Sequence, residues 1–584
     1  MIEEGQGRLL KQLYLGNEAV ARGAWEAGVT VASAYPGTPS TEITENLAKY
    51  DEIYAEWAPN EKVALEVAVG ASLGGARAMA AMKHVGLNVA ADPLFTASYS
   101  GVNGGLVVVV ADDPGMNSSQ NEQDTRLVAR AALVPVLEPA DSGECLQFTK
   151  LAYELSERYD TPIILRLTTR VAHARTLAEV GERAGVAVKA YKRDIMKNVM
   201  MPAMARKRHL VVEARMNRMA QDANTMDINR VERRGGKMGV VTSGISYQYV
   251  REALPEADVF KLGIVYPLPL EALREFAKGY ETLYVVEELE PFLEDALKAA
   301  GIPCVGKELF GVQGELGAQV VAQKLAGRAA PAVAAQDLPI RPPVLCPGCP
   351  HRGTFHIFNK LGLTVTGDIG CYTLAALEPL AAMDACLCMG ASIGMAHGME
   401  KARGRGGKVV AVLGDSTFIH SGITGLINAV YNDSAITVAI LDNSITAMTG
   451  HQHNPATGKT LKGANAAILD LEGLCRSLGV KDLKVADPFD IKASEAALKD
   501  SLAFQGPSVV IFRSPCALLP GLPSKPRYRV NTEVCRKCKR CMRLGCPAIE
   551  STATGGVAIN AELCNGCGLC ASVCPFGAIG KEEG

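Results

Sequence analysis

The chain has 584 residues, a net charge of −2, only 5% aromatic residues and 58 glycines. That length exceeds a single hydrophobic core and predicts roughly three to five domains, while the near-zero charge excludes a general electrostatic pull toward nucleic acid or membrane surfaces. The first residues, MIEEGQGRLLKQ, lack the basic and apolar regions of a secretory signal, and the longest apolar runs, such as LVVVVA (106–111) and ITVAIL (436–441), are strand-length, so a cytoplasmic location without membrane spans is expected.

Short apolar strands alternate with Ala-rich helical stretches through most of the first 520 residues. They fall at 29–36, 105–112, 162–167, 237–244, 282–289, 408–415 and 508–514. This alternation predicts an α/β multidomain protein with parallel sheets and crossover helices. Residues 191–236 are rich in Lys, Arg and Met and read as a charged spacer with solvated helices. The Pro-rich stretch 328–345 reads as a linker, and a second Pro-rich break precedes a cysteine module. The expected divisions are therefore 1–190, the spacer 191–236, 237–327, the linker 328–345, 346–520 and 526–584.

The stretch 409–450 carries the first chemical motif. One apolar strand ends at Gly414-Asp415-Ser416 and a second, after a helical stretch, ends at Asp442-Asn443. Both ends belong on the carboxyl edge of a parallel sheet, where α/β proteins place ligands. Asp415 and Asn443 offer hard oxygen atoms suited to a Mg²⁺ ion that also grips phosphates. Gly414 permits close backbone approach, and the following helix start suits an anion. An Asp after a strand also fits a helix cap; the second strand end at this distance favours the metal. The pattern resembles the thiamine diphosphate motif, GDG then NN, with Ser416 and Asp442 departing from it. The resemblance implies a third protein ligand, the backbone carbonyl of Ile445.

Of 17 cysteines, eight lie between Cys535 and Cys574. Cys535, Cys538 and Cys541 are followed by Cys546-Pro547, and Cys564, Cys567 and Cys570 by Cys574-Pro575. Two such runs are the signature of a two-cluster ferredoxin module in which each run lends its last cysteine to the other cluster. Cluster 1 is thus expected on Cys535, Cys538, Cys541 and Cys574, and cluster 2 on Cys546, Cys564, Cys567 and Cys570, both [4Fe-4S]. Zinc also uses C-x2-C pairs but gives no reason for triplets with a trailing Cys-Pro. The first run carries one extra residue before Cys546, which leaves open whether cluster 2 is [4Fe-4S] or [3Fe-4S].

Together with SAYPGTPSTEI (33–43), NEKVALEVAVGASLGGARAM (60–79), CPGCPHRGTFHIF (346–358), GDIGCYTL (367–374) and CMGASIGMAHG (388–398), these motifs span nearly the whole chain. In this order they resemble the thiamine diphosphate-dependent 2-oxoacid:ferredoxin oxidoreductases, and among them the indolepyruvate:ferredoxin oxidoreductase alpha subunits. The resemblance implies a pyrimidine-binding domain at 1–190, a transketolase-C-like domain at 237–327, a diphosphate and Mg²⁺ domain at 346–520 and a ferredoxin domain at 526–584. It implies Glu61 as the catalytic carboxylate on the aminopyrimidine, with Glu66 as the alternative one helical turn on. Thr38, Cys371, Gly390 and Ser392 are implied at the thiamine diphosphate, alongside Gly414, Asp415, Ser416 and Asn443. The implied reaction is oxidative decarboxylation of an aryl 2-oxoacid with coenzyme A, two electrons leaving singly through two clusters to ferredoxin, assisted by a separate beta subunit. Phenylpyruvate or pyruvate as substrate, a non-oxidative decarboxylase, and an electron-transfer or scaffold subunit with an inactive thiamine half are the competing readings. The first Arg in the loop after 105–112 is Arg126, and no reader of the substrate carboxylate is assigned. Cys346 and Cys349 read as packing residues, with a ligand role for the pair as the lesser alternative, and none of His351, His397, His420, His451 and His453 is given a role.

Overall fold

The computed structural model describes residues 10–328, 342–405, 409–523 and 525–582, and most of the linker expected at 328–345 lies outside them. The chain divides into two units, Met1–Ala335 and Gln336–Gly584.

The first unit has two large sheets and a small antiparallel pair, Leu10–Leu15 with Arg175–Val180. The larger has seven strands, in the order Ile264–Tyr266, Val136–Leu137, Ile163–Thr168, Leu106–Asp112, Ala78–Lys83, Val31–Ala34 and Tyr54–Trp57. All neighbours are parallel except the first pair. The central strand Leu106–Asp112 is buried throughout, as a continuous Val run must be when helices cover both faces. The second sheet has five strands, Cys304–Val305, Leu283–Val286, Gly239–Ser243, Asp258–Leu262 and Arg230–Glu232. Ile264–Tyr266 leaves this sheet to pair antiparallel with Val136–Leu137 of the larger one, which stitches the two together.

The segment read as a spacer is more integrated than its composition implies. Helix Pro202–Ala223 buries Val212, Met216, Met219 and Ala223, a helical stripe hidden among the charged residues. Arg215 on the same face donates to the carbonyls of Asp160 and Ser98 at 2.9 and 2.5 Å. Arg230–Glu232 then forms the antiparallel edge of the five-stranded sheet.

The second unit holds a six-stranded, all-parallel sheet ordered Ala385–Cys386, Thr364–Gly367, Val409–Gly414, Thr437–Asp442, Ser508–Arg513 and Asp482–Ala486. The cysteine module adds two small antiparallel pairs, Tyr528–Val530 with Ile579–Lys581 and Ile549–Ser551 with Val557–Ile559. Module and sheet share one hydrophobic core, in which Phe355, Phe358, Val410 and Phe512 meet Leu544, Ile549, Leu569 and Ile579. Among the described residues no helix is long and apolar enough to cross a membrane.

Candidate cofactor and iron–sulfur sites

Strands Val409–Gly414 and Thr437–Asp442 are parallel neighbours, so Asp415 and Asn443 leave the sheet side by side at its carboxyl edge. Asp415 is buried. One carboxylate oxygen accepts the Ser416 N–H at 2.7 Å, and the Asn454 side chain also donates to this carboxylate. The other, Oδ2, is buried with no hydrogen-bond partner among the described residues. Burial, reinforced by the charge of Asp442, pushes the carboxyl up to about 7. An orphaned buried carboxylate oxygen is costly, and a hard cation is the partner that suits it. Asp442 is already committed, to Arg513 Nε at 2.7 Å. The Asn443 carbonyl accepts the Cys516 N–H at 3.0 Å, leaving its side chain for other work. Ser444 adopts a left-handed φ of 60°, turning the chain sharply toward the buried Ile445. Tyr372 packs 3.1 Å from where a Cβ on Gly414 would stand. This donor set fits Mg²⁺.

Gly390 and Ser392 lie at the start of helix Ala391–Arg403. There the structure adds a residue that the sequence reading missed. Asp368, buried at the end of strand Thr364–Gly367, accepts the Ser392 hydroxyl at 2.6 Å and the backbone N–H groups of Gly390, Ala391 and Ser392. Burial raises its carboxyl to about 6 despite these donors. The helix start is therefore held by a carboxylate of the chain itself, and the Ser392 hydroxyl is engaged by Asp368. The GDIG motif contained the signal, an Asp directly after a strand.

In the first unit, Asn60 caps helix Glu61–Leu73 by accepting the Val63 N–H at 2.9 Å. Glu61, the first helical residue, is buried. Its carboxylate lies against Gly86, where any Cβ would come within 2.6 Å of Oε1, and Lys83 is close enough to feel its charge. Glu66 instead points to solvent and pairs with Lys62. Geometry thus separates the two candidates that sequence left open. The Thr38 carbonyl accepts the Ser118 hydroxyl at 3.3 Å. Arg126 is fully committed elsewhere: its guanidinium binds Asp124 at 2.6 Å, Glu287 at 2.8 Å and the Glu288 carbonyl at 3.0 Å. It is a structural ion-pair residue, unavailable to a substrate.

The module's cysteines gather into two sets. Cys535, Cys538, Cys541 and Cys574 line a concavity of about 320 Å³ with Arg536, Lys539 and Arg540. Cys546, Cys564, Cys567 and Cys570 line another of about 420 Å³. The extra residue in the first run is absorbed by a 3₁₀ turn, Arg540–Leu544, and a left-handed Gly545, which deliver Cys546 to the second set. Backbone N–H groups point at the sulfur atoms: Ala578 at Cys574 (3.4 Å), Met542 at Cys541, Leu569 at Cys567 and Ala571 at Cys570. Such donors stabilise thiolate and cluster charge. Among the described residues no three Cys, His, Asp or Glu side chains close around a single ion.

A third cysteine set was not foreseen. Burial pushes the Cys349 thiol up to about 12 and the Cys371 thiol up to about 11; Arg352, Cys346 and Cys371 act on Cys349, and Cys516 and Cys346 on Cys371. Cys516 in turn feels Cys346. The His351 N–H donates to Cys349 and the Leu518 N–H to Cys516, the same arrangement as in the module. From sequence, packing is the favoured role of Cys346 and Cys349 over a ligand role, and Cys371 is expected at the thiamine diphosphate. The C-x2-C spacing was a visible signal; Cys516 joins only through the fold, at the end of strand Ser508–Arg513.

Residues 22–234 match the family described as pyruvate flavodoxin/ferredoxin oxidoreductase, thiamine diP-bdg, residues 368–512 match the C-terminal TPP binding domain of thiamine pyrophosphate enzymes, and residues 557–580 match the 4Fe-4S binding domain. The indolepyruvate oxidoreductase subunit IorA of Pyrococcus horikoshii is 41% identical over 98% of this chain and 97% of its own length. The chain belongs to the indolepyruvate oxidoreductase IorA family. The IorA subunit of Archaeoglobus fulgidus is 40% identical over 99% of this chain and 98% of its own, and that of Methanothermobacter thermautotrophicus 41% identical over 98% of each. As an IorA-family member the chain is an oxidoreductase with thiamine diphosphate-binding domains and a 4Fe-4S module, oxidising a 2-oxoacid and delivering electrons to ferredoxin. Its relatives' names describe one subunit of a larger enzyme.

Proposed function

We propose that the chain, with a separate beta subunit, converts an aryl 2-oxoacid, indolepyruvate foremost, and coenzyme A into the aryl-acetyl-CoA and CO2, passing two electrons singly to ferredoxin in the cytoplasm. The observation that carries this reading is the pairing, within one unit, of an orphaned Asp415 carboxylate oxygen beside Asn443 with cysteine sets suited to clusters. A non-oxidative decarboxylase needs no such sets, and an inactive scaffold needs no buried carboxylate oxygen without a partner.

Asp415, Asn443 and the Ile445 carbonyl would hold Mg²⁺, and the sheet edge at Gly414 and Ser416 would receive the diphosphate. When bound, thiamine diphosphate accepts the electron pair left behind as CO2 departs. Glu61, buried against Gly86, would hold a proton on the aminopyrimidine ring, with Thr38 on the neighbouring turn. The residue spans 1–190, 237–327, 346–520 and 526–584 would serve as pyrimidine, transketolase-C-like, diphosphate and ferredoxin domains. Three clusters, rather than the two expected from sequence, would lie on the Cys346, Cys349, Cys371, Cys516 set and the two module sets. The Cys346–Cys349 loop borders the Cys546 set, since Pro347 and Gly348 line its concavity. Electrons would therefore enter the module there and leave from the Cys535 set, where Arg536, Lys539 and Arg540 await an acidic acceptor.

The test is coenzyme A-dependent reduction of ferredoxin by the alpha–beta complex with indolepyruvate, phenylpyruvate and pyruvate. Indolepyruvate should give the highest kcat/KM, and the alpha chain alone should turn over poorly. Aldehyde release without ferredoxin reduction, or full activity of the alpha chain alone, would overturn the reading.

A further inference from the structure

Arg352 lies on helix His351–Leu361 and is only 2% exposed. Its guanidinium donates to the carbonyls of Cys346 at 3.1 Å, Leu544 at 2.9 Å and Leu345. These are neutral partners. The charges that act on it are all thiols, Cys546, Cys349, Cys346 and Cys567, and burial works against it. A buried cation without an anion is strongly unfavourable, so the architecture requires negative charge nearby. Two cysteine sets surround the guanidinium, and Arg352 lines the concavity of the Cys546 set beside Pro347 and Gly348. The Asn565 amide donates to the Pro347 carbonyl at 3.1 Å, and it stands where a Cβ on Gly348 would be. The two sets are thereby locked together around one positive charge.

We propose that Arg352 is the shared counter-cation of two cluster sites, Cys346/Cys349/Cys371/Cys516 and Cys546/Cys564/Cys567/Cys570, and that it sets their reduction potentials jointly. This rests on the reading that the first set holds a cluster. A four-iron cluster on four thiolates is anionic, and each one-electron reduction adds a negative charge. A fixed cation in a poorly screened interior favours the reduced form of both clusters. It also offsets their mutual repulsion when an electron sits on each. The electron that leaves one site arrives at the other, so Arg352 governs the level of the step and consumes nothing. No cysteine of the Cys535 set is among the thiols that act most on it, and that set has exposed basic neighbours of its own.

The test uses the complete alpha–beta holoenzyme, with potentials read by paramagnetic resonance during redox titration. Arg352→Met should lower the reduction equilibrium constant of both sites about tenfold, or about 59 mV for one electron, and leave the Cys535 site unmoved. Arg352→Lys, which keeps the charge, should stay within about threefold of the parent. If the Met variant loses iron, loss from those two sites alone supports the shared charge; loss from all three overturns it. Unchanged potentials at full iron content, or an Arg352→Lys variant as shifted as Arg352→Met, would also overturn it. Cys516→Ala separately tests the underlying reading: it should remove one cluster's iron and signal, and a variant with unaltered iron ends the proposal at its premise.

Discussion

Substituting Asp415 by Asn removes a charge while keeping an acceptor for the Ser416 N–H, and so isolates what the carboxylate is for. Burial raises this carboxyl from 3.8 to about 7 in the ion-free chain. The fold therefore tolerates the neutral form. Its stabilising contribution is fully present below pH 4 and is lost as the pH rises through 7. The difference amounts to roughly 4 kcal/mol above pH 7. Asp415→Asn should consequently raise the ion-free melting temperature at pH 8 and leave it unchanged at pH 4. Binding should move the opposite way. In the parent, Mg²⁺-dependent thiamine diphosphate affinity should tighten about tenfold per pH unit between 5 and 7 and level off above, because the cation must displace a proton. In Asp415→Asn it should be weak and independent of pH, at least about 100-fold below the parent at pH 8, as expected for deleting a buried charge opposite its partner (about 3 kcal/mol). Thermal denaturation, calorimetric titration and iron analysis read the three quantities, with iron content unaltered. Parent-like affinity, or a lowered melting temperature of the ion-free variant at pH 8, would refute the reasoning.

Glu61→Gln should retain the cofactor but slow exchange of its thiazolium C2 proton by about two to four orders of magnitude, whereas Glu66→Gln, altering an exposed residue paired with Lys62, should leave exchange unchanged. Reversing Lys537, Lys539 and Arg540 to Glu should raise KM for ferredoxin and weaken its salt dependence, with little effect on reduction of a small neutral dye; equal losses with both acceptors would assign these residues to balancing cluster charge. Ser392→Ala should lower thiamine diphosphate affinity only modestly, because Asp368 keeps the backbone N–H groups of the helix start; a loss as large as that of Asp415→Asn would place Ser392 on the cofactor directly.

What the sequence reveals here is what local spacing controls. Cysteines every third residue can only wrap one loop, so the two module sets follow from the spacing, and strand ends followed by Asp and Asn mark the sheet edge. Contacts between distant segments were hidden. Cys516 joins Cys346, Cys349 and Cys371 because the strand ending at Arg513 returns to the same sheet edge, which no local pattern encodes. Arg126 looks available in a polar loop, yet Glu287, far along the chain, claims it. The charged composition of 191–236 masked the buried stripe of helix Pro202–Ala223, since four inward positions scarcely alter the average of a Lys- and Arg-rich segment. Strand Ile264–Tyr266 is three residues long, too short for its alternation to announce a partner in the other sheet.

The core common to the parallel sheet and the cysteine module has a consequence for biosynthesis. Leu544, Ile549, Leu569 and Ile579 follow Phe355, Phe358 and Phe512 in the chain, so the earlier residues are translated first and must wait for them. The module is small, shares its core with the sheet, and would depend on its clusters for stability. Insertion of iron and sulfide would then be a maturation step for the neighbouring α/β half as well. Under iron scarcity, newly made chains would present an uncovered apolar face beside the sheet, a substrate for chaperones and proteases. Iron supply would then set the amount of mature enzyme, as well as the electrons that each copy can carry.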